Sequence, residues 1–599
     1  MTQPIATLLV LGASGDLTSR LLLPALGQLL TEQHVRRLRL VGAGSDDLTP
    51  AEWRAIVVKS FATAEASGAC VDHLVATTVY RRADVTRPEE MQGLLALCEG
   101  APAVYFALPQ AVTGLVCDAL AELELPGGTQ LALEKPFGFD EDSAVRLNAS
   151  LARLVPEECI HRIDHFLGRS TVFNLLGFRF ANRIFEPLWN NDHIERVDIV
   201  YDEQLGLEGR AGYYDRAGAL VDMIQSHLLQ VLAVLAMEPP STLEAADLRD
   251  AKGIVLRATR VRGGSPRRSS RRARYGAGVV AARPVPAYVD EPGVDPANDT
   301  ETLAEVTFEI NNWRWAGVPF TLRSGKALSA RRREIVVTFK PVPHLPVGLI
   351  GHEEPTVLRI FLGPDELSLE LNLNGPGDPH VLERVSLGAV FGPGQLLAYG
   401  EVLEGVLDSD PALSVRGDVA EQCWRIVAPV LAAWRAGKPA LEEYAAGTTG
   451  PSGWSGLGWS RLRDEAGRLA ASNRSGREQH GNRSRACGFG PDGDRGGCPR
   501  QGGRLGGAFA AKLGLLAAQD AGQGRGDLRR LESVEDDVAV VDAAGNEGPL
   551  ALFADEFGEL AMQQVEDLLV TEFRRGHLND GCDATSATKH RDPFRVVRL

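Results

Sequence analysis

Apolar residues in the first 165 positions fall in short runs separated by helical patterns. Leu8–Leu11, "LRLVGAG" (Leu38–Gly44), "AVYFALP" (Ala103–Pro109) and "QLALEKP" (Gln130–Pro136) predict buried strands. Amphipathic stretches such as "EEMQGLLALCEG" lie between them. Strands alternating with helices predict a parallel, doubly wound α/β sheet. From about Phe166 the period changes. "HIERVDIVYDE", "ETLAEVTFEI", "REIVVTFKP", "PTVLRIFLG" and "LSLELNLN" alternate or are β-branched at short intervals. They predict a larger, mainly antiparallel sheet. Gly218–Met237 is a long apolar helical stretch suited to packing on that sheet. "RVRGGSPRRSSRRARYG" (Arg260–Gly276) interrupts the second region and is expected to be a solvated surface insertion.

Past about Gly450 the periodicity is lost in a Gly- and Arg-rich stretch. The chain therefore divides into residues 1–165, 166–453 and an atypical tail, 454–599. The tail reads as disordered, or as the product of a shifted reading frame. Within it, Phe553, Phe557, Leu560, Leu568 and Leu569 could share one helix face, with Gly576 as a stop.

Composition narrows the function classes. A net charge of −16 argues against a general nucleic-acid binder. The eight cysteines are scattered, which fits a reduced, cytoplasmic chain better than a disulfide scaffold or a zinc site. Ile5–Leu11 lacks a basic leader and runs straight into a glycine turn, so it reads as a core strand. No uninterrupted apolar run reaches about 20 residues, so neither a transmembrane helix nor a membrane partner is expected.

That turn, Gly12-Ala13-Ser14-Gly15, is followed by Asp16 and Leu17 and by Thr18 at the third glycine position. A strand, a tight turn and a helix suit a pyrophosphate at the helix N-terminus, and equally a simple βα connection. Two further segments, His161–Asn190 and Gly209–Gln230, each set a histidine among apolar residues near an aspartate. A buried histidine with a carboxylate partner can serve as a general base, or simply be a satisfied core residue. His161 and His165 are spaced like paired ligands on a helix, but no H-E-x-x-H pattern accompanies them and no metal is expected.

"GASGDLTSRLLLPAL", "EKPFG", "RIDHFLG", "RFANRIFEPLWN", "YYDRAGALVDMIQSH", "NWRWAGVPFTLRSGK" and "EEYAAGTTGP" occur in that order. Together they closely resemble the glucose-6-phosphate dehydrogenase family over about residues 5–453. The resemblance implies an α/β Rossmann domain joined to a larger β+α domain with a mainly antiparallel sheet. It implies oxidation of β-D-glucose 6-phosphate at C1 to the δ-lactone, with hydride passed to NADP or NAD. This is the first step of the oxidative pentose phosphate pathway. By motif, His227 is the base and Asp164 orients it. His165 and Arg169 hold the phosphate, Glu203 and Asp222 the sugar hydroxyls, and Lys326 also reaches the substrate. Lys135 stands near both substrate and cofactor. Gly12, Ser14, Gly15, Asp16, Leu17 and Ser45 fall at cofactor-binding positions. A homodimer or homotetramer is implied.

The chain departs from the family pattern in several places. Leu21 stands where a lysine is common, and Phe166 replaces a tyrosine. Arg169 replaces a lysine, and Ser226 sits in the Q-N-H triplet. Ser45, beside Asp46 and Asp47, stands where NADP-using members carry an arginine. The competing readings are a related sugar-phosphate oxidoreductase with altered cofactor choice, a catalytically silent homologue acting as a redox or assembly partner, and a nucleic-acid binder acting through the arginine loop.

Overall fold

The computed structural model describes residues 5–454, apart from 352–353, 364, 376 and 392–393, and beyond them two short paired strands, Val540–Val541 and Glu547–Gly548. The remaining tail, with the helix expected near 551–576, lies outside the described residues.

The first sheet is built from β1 (Thr7–Leu11), β2 (Arg39–Gly44), β3 (Val79–Arg82), β4 (Pro102–Phe106), β5 (Gln130–Leu133) and β6 (Ile160–Ile163). All six run parallel, in the order β6-β5-β4-β1-β2-β3. Helices cover both faces, which is why these strands read as unbroken apolar runs. Leu8 and Val10 of β1 enter one buried cluster, while Leu9 and Leu11 enter the other. The strand order reverses at β1, and ligands of such sheets bind beyond the strand carboxyl ends at that point.

The glycine turn lies there. Gly12 has φ +81°, and a Cβ on it would lie 2.2 Å from the carbonyl oxygen of Ala107. The glycine is thus demanded by the crossing from β4. Thr18 is buried and its hydroxyl donates to the Gly12 carbonyl at 3.3 Å, so no third glycine is needed for the helix to pack.

The second region supplies β7 (Ile194–Asp202), β8 (Thr259–Val261), β9 (Ser270–Gly276), β10 (Gly278–Val280), β11 (Arg283–Val285), β12 (Leu303–Ile310), β13 (Phe320–Gly325) and β14 (Arg332–Phe339). It continues with β15 (Ile350–Gly351), β16 (Val357–Phe361), β17 (Glu366–Asn374), β18 (Val381–Val390), β19 (Ser414–Val415) and β20 (Leu441–Ala445). Among the described residues, eleven strands form one sheet, ordered β15-β18-β17-β16-β14-β7-β13-β12-β9-β20, with β8 also on β12. Most pairs are antiparallel, whereas β7–β13, β9–β20 and β15–β18 are parallel. β10 and β11 form a separate hairpin, and β19 returns to the first sheet, antiparallel to β6.

The apolar helix starts earlier than its pattern predicts and spans Ala211–Ala236. It is long and apolar enough to cross a membrane by length and composition, but it is mostly buried in the core. Gly218 breaks it at φ +65°, where a Cβ would strike the Glu301 carboxylate at 2.3 Å. Beyond that break Leu220–Leu228 forms a wide π-turn, a feature often found at functional sites.

Arg260–Gly276 is a surface loop only at its centre, where Arg262–Gly264, Arg267 and Arg268 are exposed; its ends belong to the sheet, contrary to the expectation from charge. Its two ends are β8 and β9, and Arg272 is buried, donating to the carbonyls of Pro439 at 3.2 Å and Asp299 at 3.4 Å. Arg271 lies opposite Glu305 in register and pairs with it. Guanidiniums with cross-strand partners can occupy strand positions that a charge count assigns to solvent.

Gly12→Ala should lower unfolding stability by about 2 kcal/mol or more, since both the backbone conformation and the Ala107 carbonyl oppose a side chain. A urea midpoint unchanged from wild type would contradict this.

Candidate active site

The chain leaves β6 at Ile163 and passes directly into Asp164-His165-Phe166. Asp164 is 2% exposed, and its Oδ1 accepts from the Phe166 N–H at 2.9 Å and from His227 Nδ1 at 2.6 Å. His227 comes from the π-turn and is 1% exposed. Phe166 stacks on its ring at 4.3 Å between centroids, and His165 meets it edge-on at 4.9 Å. Burial works against the Asp164 carboxylate, but His227, His165 and the Phe166 N–H together hold the carboxyl below its usual range. Burial holds His227 below its ordinary value despite Asp164. The pair is therefore an aspartate with a neutral imidazole. With Nδ1 donating to Asp164, Nε2 carries the lone pair of a base.

His165 is pushed down to about 3, chiefly by burial and then by the neighbouring His227. It is a neutral hydrogen-bonding group, not a cation. Ligand atoms of Asp164, His165 and His227 lie within 4.8 Å of one another, but the Asp164–His227 hydrogen bond already engages two of these side chains.

The parallel register of β7 and β13 sets Asp202 beside Gly325. The next residues, Glu203 and Lys326, consequently meet, with Nζ 2.9 Å from Oε2. Arg333 Nη2 approaches the other Glu203 oxygen at 3.4 Å. Lys135, just past β5, donates to Asp222 Oδ1 at 3.2 Å and to its backbone carbonyl at 3.0 Å. Burial opposes ionisation of Asp222, but Lys135 and Lys326 hold its carboxyl below the usual range. Arg169 covers the Phe166 ring at 4.9 Å and donates through Nη1 to the Leu362 carbonyl at 3.1 Å. Its Nε is buried without a hydrogen-bond partner among the described residues.

Gly12, Ser14, Gly15, Asp16 and Leu17 form the turn and the start of the helix behind β1, and Ser45 directly follows β2. Asp16 is exposed and pairs with Arg20 at 3.2 Å. A helix start leaves its first N–H groups without partners in the helix, a donor set suited to a pyrophosphate. Leu21 is exposed and offers no polar group.

Three residues here escaped the sequence reading. Glu134 accepts from Tyr105 and Tyr399, and burial pushes its carboxyl up to about 7. Tyr399 stacks on His165 at 5.4 Å. Glu134 had a signal, since it opens "EKPFG"; Tyr399 and Arg333 had none within their own segments.

His161 does not share a helix face with His165, because it lies in β6. It is a core residue, with Nε2 2.9 Å from Gln130 Oε1 and Nδ1 3.2 Å from Ser414 Oγ. Burial pushes its pKa from 6.5 down to about 3. Below the unfolded value the unfolded chain holds the extra proton. The contribution of His161 is thus complete above that value and lost as pH falls toward the folded one, by about 1.4 kcal/mol per pH unit. Between about pH 6 and pH 4, unfolding free energy should fall less steeply in His161→Gln by roughly that slope. Parallel pH profiles for the two proteins would contradict it.

Two family models match in tandem. Residues 9–174 match the "Glucose-6-phosphate dehydrogenase, NAD binding domain" and residues 176–460 the "Glucose-6-phosphate dehydrogenase, C-terminal domain". The glucose-6-phosphate 1-dehydrogenase of Zymomonas mobilis is 37% identical over 472 residues, 76% of this chain and 97% of the relative. That of Mycolicibacterium smegmatis is 38% identical over 469 residues, 74% and 93%. The crystal structure of glucose-6-phosphate 1-dehydrogenase from Mycobacterium avium superposes with a TM-score of 0.66 at 32% identity, covering 75% of this chain and 96% of that one. A glucose-6-phosphate dehydrogenase in complex with its substrate glucose 6-phosphate gives 0.68 at 28%, covering 76% and 97%. With both family models lying end to end across the two sheets and the site between them, this chain belongs to the glucose-6-phosphate dehydrogenase family.

Proposed function

We propose that Asp164 and His227 form the base that removes the C1 hydroxyl proton of β-D-glucose 6-phosphate while the C1 hydride leaves for a bound nicotinamide, giving the 6-phospho-δ-lactone. The reading is carried by the 2.6 Å hydrogen bond between two buried side chains whose ionisation leaves a neutral imidazole facing its carboxylate partner. His227 Nε2 takes the proton of the C1 hydroxyl. Asp164 holds the required tautomer and stabilises the imidazolium that forms. Arg169, whose buried Nε has no hydrogen-bond partner among the described residues, binds the phosphate together with neutral His165. Glu203 and Asp222 accept from sugar hydroxyls, and Lys326 and Lys135 orient those carboxylates and reach the substrate. A nicotinamide dinucleotide supplies the acceptor for the C1 hydride. The Gly12–Leu17 turn at the sheet's reversal point holds its pyrophosphate, and Ser45 and Lys135 add contacts.

NADP is the preferred cofactor, with NAD as the alternative. The enzyme is cytoplasmic, catalyses the first step of the oxidative pentose phosphate pathway and assembles as a homodimer or homotetramer through the large sheet. Leu373, Leu387 and Val390 of the outer strands β17 and β18 are exposed, which supports association there.

His227→Asn should lower kcat on the order of 10²–10⁴-fold while the protein still binds glucose 6-phosphate. Loss of sugar binding with unchanged turnover per bound substrate would contradict the assignment. Because the base must be neutral, kcat/KM should fall as pH drops through the His227 pKa, which burial holds below the ordinary imidazole value. Initial rates with glucose 6-phosphate should be higher with NADP⁺ than with NAD⁺; no reduction of either would reject the enzymatic reading.

A further inference from the structure

The loop after β2, where an arginine accommodates the 2′-phosphate in NADP-binding folds of this kind, reads Ser45-Asp46-Asp47 here. Two carboxylates at that place oppose a phosphate. The neighbouring strand supplies a cation instead. β3 runs parallel to β2 with Arg82 opposite Gly44, and the Ala83 N–H donates to the Gly44 carbonyl at 2.9 Å. The register sets Arg82 level with the start of the acidic loop, at the carboxyl edge of the sheet where dinucleotides bind.

Side chains alternate along a strand, so Tyr80 and Arg82 share one face of β3 and Arg81 takes the other. Tyr80 marks the glycine-turn face. Its hydroxyl donates to the Asp46 carbonyl at 3.0 Å. A Cβ on Gly44 would lie 3.0 Å from that hydroxyl and 3.3 Å from Ser14 Oγ of the turn. Arg82 is the next residue of this row. Its Nη1 lies 3.6 Å from Asp47 Oδ2, with side chains 64% and 86% exposed. An exposed pair at that distance is weak.

We propose that Arg82 is the residue of this chain that recognises the 2′-phosphate of NADP, taking over the role of the arginine missing at Ser45. The proposal rests on the nicotinamide-dinucleotide reading above. In the free protein Asp47 is the counterion of Arg82. A 2′-phosphate, with up to two charges and three acceptor oxygens, competes for the same guanidinium and can accept two parallel N–H bonds. Asp47 then stands as a like charge beside the phosphate, so it tempers the preference that Arg82 creates.

The test is calorimetric binding of NADP⁺, NAD⁺ and adenosine 2′,5′-bisphosphate to the full chain and to Arg82→Ala, Arg81→Ala and Asp47→Ala. Arg82→Ala should weaken NADP⁺ and the bisphosphate on the order of 10- to 100-fold, and NAD⁺ by less than about twofold. Arg81→Ala, on the opposite face, should leave the ratio of the two cofactors unchanged, and Asp47→Ala should tighten NADP⁺ alone. Wild-type preference for NAD⁺, an equal loss of both cofactors in Arg82→Ala, or the NADP⁺ loss appearing in Arg81→Ala would each overturn the proposal. Binding of neither cofactor by wild type would overturn the dinucleotide reading itself. Glucose-6-phosphate-dependent reduction of NAD⁺ by Arg82→Ala, retained at the wild-type rate, separates a lost 2′-phosphate contact from a damaged active site.

Discussion

A single buried hydrogen bond, from His227 Nδ1 to Asp164 Oδ1, ties the two sheets together at the point where chemistry is possible. Asp164 sits at the end of the last parallel strand of the first sheet, and His227 in a wide helical turn packed against the second. Neither group is tolerable alone in that environment. An unpaired buried carboxylate or a polar ring without a partner costs several kcal/mol. The bond therefore exists only when both regions are folded and docked, and the base is assembled by the same event that completes the core. Phe166 adds a stacked ring that keeps water from one side of the imidazole.

The other charged groups obey the same constraint. Each cation at the site rests against a carboxylate or carbonyl supplied by a different element: Lys135 on Asp222, Lys326 and Arg333 on Glu203, Arg169 on Leu362. The hydroxyls and phosphate of a sugar phosphate offer the complementary set of donors and acceptors. Binding then exchanges partners among groups already held in place, which limits the ordering cost of recognition. His165, neutral and wedged between Tyr399 and His227, contributes direction without adding repulsion to the lysines.

Much of the architecture is legible in local pattern. Leu8–Leu11 and Ala103–Phe106 read as strands because a parallel strand covered on both faces must be apolar throughout. The period-two pattern in Leu303–Ile310 and Glu366–Asn374 also reads as strand, although burial does not follow it: Leu303–Val306 are all buried and Glu366–Asn372 all half-buried. Arg260–Gly276 was misleading because charge count says nothing of partners. Arg271 is neutralised by Glu305 across the sheet, and Arg272 hydrogen-bonds the Pro439 and Asp299 carbonyls. The pattern around Gly12 suits a pyrophosphate turn and a simple βα connection alike, and the Ala107 carbonyl gives a steric reason for the glycine that no local pattern holds. Tyr399 has no local signal because it becomes a site residue only by stacking on His165, whereas Glu134 opens EKPFG and its burial against Tyr105 is what the motif does not show.

The sequence by itself determined the two-sheet plan, the family and the identity of the side chains able to carry acid–base and anion chemistry. The sheet plan follows from periods of two and 3.6, and the family from the resemblance of motifs such as RIDHFLG and EKPFG; both are properties of neighbours in the chain. Tertiary structure alone decided which of those side chains meet. Asp164 reaches His227, Glu203 faces Lys326, and Arg82 stands beside the loop that lacks an arginine, through strand register and helix packing. Hydrogen bonds and ion pairs act over about 3 Å, and no periodicity along the chain encodes a distance that short between residues so far apart.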